Sequence, residues 1–243
     1  MTKVTSTTML GEHRTRMYVL PLPRHWFGWT LVLVAVLLTL GLTVKTVPGI
    51  TASELSIDQT VSADHSAFAD IVAMVFNSVF SPAGGVFLVA AISLFILVVR
   101  KSPVSAIAVG AITATGWLST EGVKSVIGRY RPDSALLSHP LLHESGAGSF
   151  PSGHTAAAVS LAIALILLLR GTKWQTLAML GGLTVAILVA ASRVYVGAHY
   201  PSDVVGSFLS APAGILLFSA LWNRYARRAL SKMTVLGRFG PIA

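Results

Sequence analysis

Six apolar runs divide the chain: Trp26–Val47, Ala83–Val99, Val104–Leu118, Thr155–Leu169, Leu177–Ala191 and Val204–Trp222. About 20 apolar residues in a helix cross the roughly 30 Å hydrocarbon core of a bilayer. Backbone in lipid must satisfy its own hydrogen bonds, so such runs are helical. The pattern predicts an all-α polytopic membrane protein with six transmembrane helices. Pro48-Gly49 stops the first run, and Arg100-Lys101 closes the second. The first run has no small-residue cleavage site after it, so it reads as an anchor and not a removed signal. Residues 50–65 are polar and acidic, with Glu54, Asp58 and Asp64. Phe68, Ile71, Val72, Val75, Phe76 and Val79 then recur at helical spacing, with Asp70 and Asn77 on another face. This predicts a short extracytoplasmic amphipathic helix on the membrane surface, or else a packed core helix. Residues 133–150 form a polar loop rich in Gly, Ser and His. No internal repeat or low-complexity segment interrupts the series.

Composition agrees. The 243 residues are 53% hydrophobic and only 11% charged, with mean hydropathy +0.73. Soluble domains carry about 25% charged residues. There is no cysteine, which excludes disulfides and thiol chemistry. The organisation is a basic, partly disordered cytoplasmic tail (1–25), a six-span domain (26–222) and a second basic cytoplasmic tail (223–243). With both termini inside, every Lys and Arg except Lys45, Lys124, Arg129, Arg131 and Arg193 falls on the cytoplasmic side. Glu54, Asp58, Asp64, Asp133 and Glu144 fall outside. That obeys the positive-inside rule of a cytoplasmic (inner) membrane protein. It also accounts for the net charge of +9 without nucleic acid. The tails are suited to anionic lipid heads. Trp26 and Trp29 suit the interface, and Lys45 is placed to snorkel.

Four of the five remaining cations lie in two short blocks, KSVIGRYRP (Lys124–Pro132) and Ser192-Arg193. A third block, PSGH (Pro151–His154), opens the fourth run. Loop 133–150 contains no span, and two spans separate His154 from Arg193. Lys124, Arg131, Ser152, Gly153, His154, Arg193, His199 and Asp203 therefore meet at one membrane boundary, on the outer side. Cations, a hydroxyl and the amides of Ser152, Gly153 and His154 at a helix start make an anion cradle. Asp203 lies one turn after His199, near enough to fix its tautomer. The two histidines can divide nucleophile and general-acid roles. No carboxylate cluster suited to Mg²⁺ accompanies them, so neither metal nor cofactor is expected. The set suits phosphoryl transfer through a phosphohistidine.

The blocks K-x6-RP, PSGH and SR-x5-H-x3-D match, in order and type, the signature of the type 2 phosphatidic acid phosphatase superfamily. The chain resembles that family over residues 124–203 by motif, and over most of its length by layout. The resemblance implies that His199 attacks phosphorus, Asp203 orients His199, and His154 protonates the leaving oxygen. It implies that Lys124, Arg131, Ser152, Gly153 and Arg193 hold the phosphoryl oxygens. The expected substrate is a lipid phosphate or diphosphate, preferentially undecaprenyl or another polyprenyl diphosphate. Phosphatidylglycerophosphate and phosphatidate are the alternatives. A vanadate-dependent peroxidase is disfavoured because the known ones of this family are soluble. From another class, an anion or lipid transporter or a scaffold would use the same cations, but repeated halves and broken helices are not evident.

Other polar residues receive plainer readings. Glu121, three residues before Lys124, pairs with it. Arg129 is a solvated interface charge. His139 and His143, beside Glu144, offer a zinc alternative weakened by the intervening Pro140. Tyr195, Tyr200 and Trp117 read as packing or interface residues. Gly181-Gly182 permits close helix packing.

Overall fold

The computed structural model describes residues 17–230, 232, 233 and 238, without the side chain of Arg227. The rest of both predicted tails lies outside the described residues. The described chain is helical: α1 (Trp26–Thr46), α2 (Ile50–Ala63), α3 (Ala67–Val79), α4 (Pro82–Val99), α5 (Pro103–Ile127), α6 (Gly153–Leu168), α7 (Gln175–Tyr195) and α8 (Pro201–Leu230). A 3₁₀ turn at Ser134–Leu136 and one isolated bridge, Tyr130 to Ala147, interrupt the long loop after α5.

Helices underlie all six apolar runs. Four are long and apolar enough to cross a membrane: Trp26–Thr46, Pro82–Val99, Gln175–Tyr195 and Pro201–Ala226. α6, with 16 residues, is shorter. α5 runs nine residues past the predicted Leu118 and carries Lys124 in its last turn. Apolar side chains fill the core and also face outward on the outer helices. In α4 only Ile96 is buried, while Phe87, Leu94, Phe95 and Val99 face outward. Such a continuous apolar exterior fits lipid as its solvent.

α6 is the hub and packs against α5, α7 and α8. Its alanines keep these approaches close. A Cβ at Gly116 would lie 1.9 Å from Ser160 Oγ, and one at Gly182 would lie 2.8 Å from Ala162 Cβ. Gly182 therefore plays the expected packing role, whereas Gly181 meets nothing within 4 Å.

Several local expectations change. Residues 50–63 are a helix, and its buried face is polar: Glu54, Asp58 and Ser62 at spacings of four. Apolar periodicity does not reveal such a helix. α3 exposes Phe68, Ile71 and Val75, while its other side packs on α7, where Asp70 accepts from Tyr195 Oη at 2.7 Å. Lys45 does not snorkel; its Nζ donates to the Ile127 carbonyl at 2.5 Å and neutralises the C-terminal end of α5. Residues 17–20 are not a free tail. Met17 and Leu20 are buried. Trp222 Nε1 donates to the Met17 carbonyl at 3.1 Å. The Leu20 amide and carbonyl pair with the Asn223 side chain at 2.8 and 2.9 Å.

Candidate active site

α6 starts where the sequence requires it. The Ser152 hydroxyl caps the helix by accepting from the Thr155 amide at 3.5 Å, with Thr155 Oγ1 at 3.2 Å. The Ser152 amide is already used, donating to the Asp203 carbonyl at 3.1 Å. It therefore drops out of the predicted cradle. The hydroxyl and the amides of Gly153 and His154, in the unpaired first turn, remain suited to it. A Cβ on Gly153 would lie 3.4 Å from Lys124 Nζ and 3.3 Å from Trp117 Nε1. The lysine of the first block thus stands directly over the start of the second. Glu121 Oε1 accepts from its ammonium at 2.7 Å, as the spacing predicts.

Asp203, on the first turn of α8, is fully buried. Its Oδ1 accepts from Arg129 Nη1 at 2.7 Å. Its Oδ2 accepts from Ser149 Oγ at 2.5 Å and the Tyr200 amide at 3.0 Å. Arg129 is only 3% exposed and also pairs with Glu54 Oε2 at 2.7 Å. It is thus no solvated interface charge. Burial of an arginine this deep demands counter-charges on both sides, and Glu54 and Asp203 supply them. Glu54 in turn takes the Ser202 amide at 2.7 Å, capping α8 beside Asp203. Tyr200 lies under the Arg129 guanidinium, 4.2 Å from its ring centroid.

His199, in the turn before α8, is 1% exposed. Its Nδ1 stands 3.5 Å from Asp203 Oδ2, and its Nε2 stands 3.1 Å from Arg131 Nη1. An arginine has no acceptor, so the Nε2 beside it carries the lone pair. The ring proton is then on Nδ1, facing Asp203. Burial pushes the His199 pKa down to about 4, against the opposing pull of Asp203. The imidazole is neutral at physiological pH. The carboxylate therefore sets the tautomer without forming an imidazolium in the resting site.

Arg193, fully buried in the last turn of α7, donates to Asn77 Oδ1 of α3 and to Glu144 Oε1 at 2.7 Å. Arg131 pairs with the other oxygen of Glu144, also at 2.7 Å. His154 Nε2 is buried without a partner. Arg193, His199 and Glu144 lie within electrostatic range of this ring. The structure thus gathers all eight residues singled out in the sequence. It adds Arg129, Glu54, Ser149, Asn77 and Glu144. Of these, only Arg129 and Glu144 carried a signal, as a cation and an acid within or beside the motif blocks. His139 stacks against His65 at 5.9 Å, and no group of three metal-ligating His, Asp or Glu side chains forms among the described residues.

The sequence description of the PAP2 superfamily matches residues 104–228, more than half the chain. The chain belongs to the PAP2 superfamily. A PAP2 relative, phosphatidylglycerophosphatase B of Bacillus subtilis, is 39% identical over 112 residues, 44% of this chain and 51% of the relative. Undecaprenyl-diphosphatase BcrC of Bacillus subtilis is 38% identical over 81 residues, 33% of this chain and 39% of that protein. The chain spans about half or less of the length of these two curated relatives. The crystal structure of a transmembrane PAP2-type phosphatidylglycerolphosphate phosphatase from Bacillus subtilis superposes with TM-score 0.64. The match covers 80% of this chain and 96% of that one at 22% identity, a likeness of fold.

Proposed function

We propose that this PAP2 protein is a six-span membrane phosphatase that hydrolyses a lipid phosphate or diphosphate through a phosphohistidine on His199. The observation that carries the reading is the His199 ring. Its lone pair is on Nε2, its proton faces a clamped carboxylate, Arg131 touches it and Arg193 lies within electrostatic range. α5 and α6 complete the six spans, the domain covers residues 26–222, and both basic tails are cytoplasmic.

The phosphoryl oxygens bind Lys124, Arg131, Arg193, the Ser152 hydroxyl and the amides that open α6. His199 Nε2 attacks phosphorus as the bond to the leaving oxygen breaks. Asp203 stabilises the cationic ring that forms. The arriving dianion favours the imidazolium of His154, which gives its proton to the leaving oxygen. Neutral His154 then takes a proton from the water that cleaves the phosphohistidine, releasing inorganic phosphate. From a lipid diphosphate the other product is the lipid monophosphate.

An apolar cleft of about 280 Å³ lies between α4, α5 and α6 and is lined by Phe80, Val86, Trp117, Ala157 and Leu161, among others. Trp117 also abuts Gly153, so the cleft adjoins the cradle. This supports a substrate with an apolar tail, and moves Trp117 from a packing to a substrate-facing role. A polyprenyl diphosphate is the preferred substrate. The longer match to phosphatidylglycerophosphatase B favours phosphatidylglycerophosphate as the second reading.

Purified protein is expected to release phosphate from a panel of polyprenyl diphosphate, phosphatidylglycerophosphate and phosphatidate. Release should survive EDTA and be inhibited by vanadate, which resembles five-coordinate phosphorus. No release from any member would overturn the reading. Loss in EDTA with rescue by a divalent cation would overturn the metal-free route.

The charge asymmetry puts loop 133–150 outside. Ser138 is exposed in that loop, and the chain has no native cysteine. Ser138→Cys should be labelled by an impermeant thiol reagent in intact cells. Labelling only after lysis would reverse the orientation.

A further inference from the structure

Glu144 takes no part in the phosphoryl-transfer steps, yet it pairs with two of the cations that carry them. It comes from the long loop between α5 and α6 and carries its carboxylate into the cradle. Its two oxygens each sit 2.7 Å from a different guanidinium, Oε2 on Arg131 and Oε1 on Arg193. Those are two of the three cations that hold the phosphoryl group in the reading above, on which this inference rests. Arg131 also touches His199 Nε2 at 3.1 Å and the Ala198 carbonyl at 2.8 Å. The carboxylate therefore spans two cations right beside the nucleophile, where two phosphoryl oxygens would otherwise lie.

Physical necessity explains its presence. Arginine does not lose its charge, and Arg193 is fully buried. A buried cation without a counter-ion is strongly destabilising. Asn77 offers Arg193 only a neutral acceptor. Burial pushes the Glu144 carboxyl up, but Arg193 and Arg131 pull it down further, so it stays below the usual range and remains an anion. Glu144 is still one-third exposed, and the hydrogen bonds that order its loop fall to either side of it, at Leu136 and His139 and at Gly146, Gly148 and Ser149. Its carboxylate is held by guanidiniums that a phosphoryl group can pair with equally, whereas Asp203 is fixed from three directions by Arg129, Ser149 and Tyr200.

We propose that Glu144 is an internal anion that exchanges with the phosphoryl group on Arg131 and Arg193, bracing the empty cradle and expelling inorganic phosphate after hydrolysis. A dianionic substrate outcompetes one carboxylate on approach. Inorganic phosphate, no longer attached to a tail held in lipid, competes less well against the returning side chain. Glu144 thereby sets the affinity for free product separately from that for substrate.

The test uses the full-length protein in detergent and two probes, inorganic phosphate and orthovanadate. Glu144→Gln keeps the shape and removes the charge. Both anions should then inhibit about tenfold more tightly or better, the scale expected for losing one charge-assisted competitor in a partly buried site. Glu144→Asp keeps the charge but is too short to span both arginines, and should fall between. Protection against thermal unfolding by phosphate provides a readout that does not need turnover: the stabilisation at a given phosphate concentration should be larger in Glu144→Gln than in wild type. A brace that stays in place with phosphate bound predicts the opposite sign, with weaker inhibition and smaller protection. Equal protection of wild type and variant also overturns the exchange, while leaving the cation assignment intact. If phosphate protects neither protein, the cation assignment itself fails.

Discussion

His199→Ala is expected to abolish hydrolysis of every substrate, with a loss on the order of 10⁴-fold or more, as for removal of a group that acts as part of a unit. Without Nε2 no covalent intermediate forms, so the single-turnover burst of nitrophenol from an aryl phosphate should vanish as well. His154→Ala should behave differently. General acid catalysis contributes about 10²–10⁴-fold, and it matters most for a poor leaving group. A lipid alkoxide needs the proton; a nitrophenolate hardly does. The variant should keep a larger share of activity on the aryl phosphate than on a lipid monophosphate. A burst from His199→Ala, or equal losses from His154→Ala, would overturn the division of roles. The His199 pKa of about 4 adds a pH signature. The ring is the free base above that value, so loss of the nucleophile to protonation belongs near pH 4 and not at the usual histidine value of about 6.5.

The largest effect on stability is expected at Arg129. Arg129→Ala leaves Glu54 and Asp203 buried without their shared cation. Breaking a buried pair in this way costs about 3–5 kcal/mol. A detergent-solubilised sample should lose about 10 °C in melting temperature, given about 2–4 °C per kcal/mol for a chain of this size. Arg129→Lys should recover only part of it, because an ammonium does not reproduce the guanidinium fork that reaches both carboxylates. Activity should fall in parallel as Asp203 loses its grip on position. A melting temperature unchanged in Arg129→Ala would show that the ion triple is not a structural requirement.

The helices under the six apolar runs and the convergence of the motif blocks are legible in the sequence because both follow from local rules. Apolar runs make helices, and parity of crossings brings their ends to one side. The His199–Asp203 and Glu121–Lys124 pairs follow equally from one-turn spacing. What was hidden involves partners far apart in sequence. Arg129 stands 74 residues from Asp203 and 75 from Glu54, and no spacing rule links them. α2 is hidden for the same reason, since its buried polar face meets distant partners: Glu54 meets Arg129 and the start of α8, and Ser62 meets the His139 amide. Glu144 was visible as an acid in a loop, but its place between two arginines depends on how that loop folds over α7. The Ser152 amide looked available until the Asp203 carbonyl came to lie beside it.

The contacts of Met17 and Leu20 have a mechanical meaning. They tie the chain just before α1 to Trp222 and Asn223 near the end of α8, and the Met17 amide reaches Ser105 at the start of α5 at 3.3 Å. Both anchor points lie at the helix ends away from Lys124 and Asp203. Where no water competes, such hydrogen bonds act as rivets. One flank of the bundle is thus a fixed post. α4, with a single buried residue and the cleft beneath it, is the outward-facing panel that leans on α5 beside that frame.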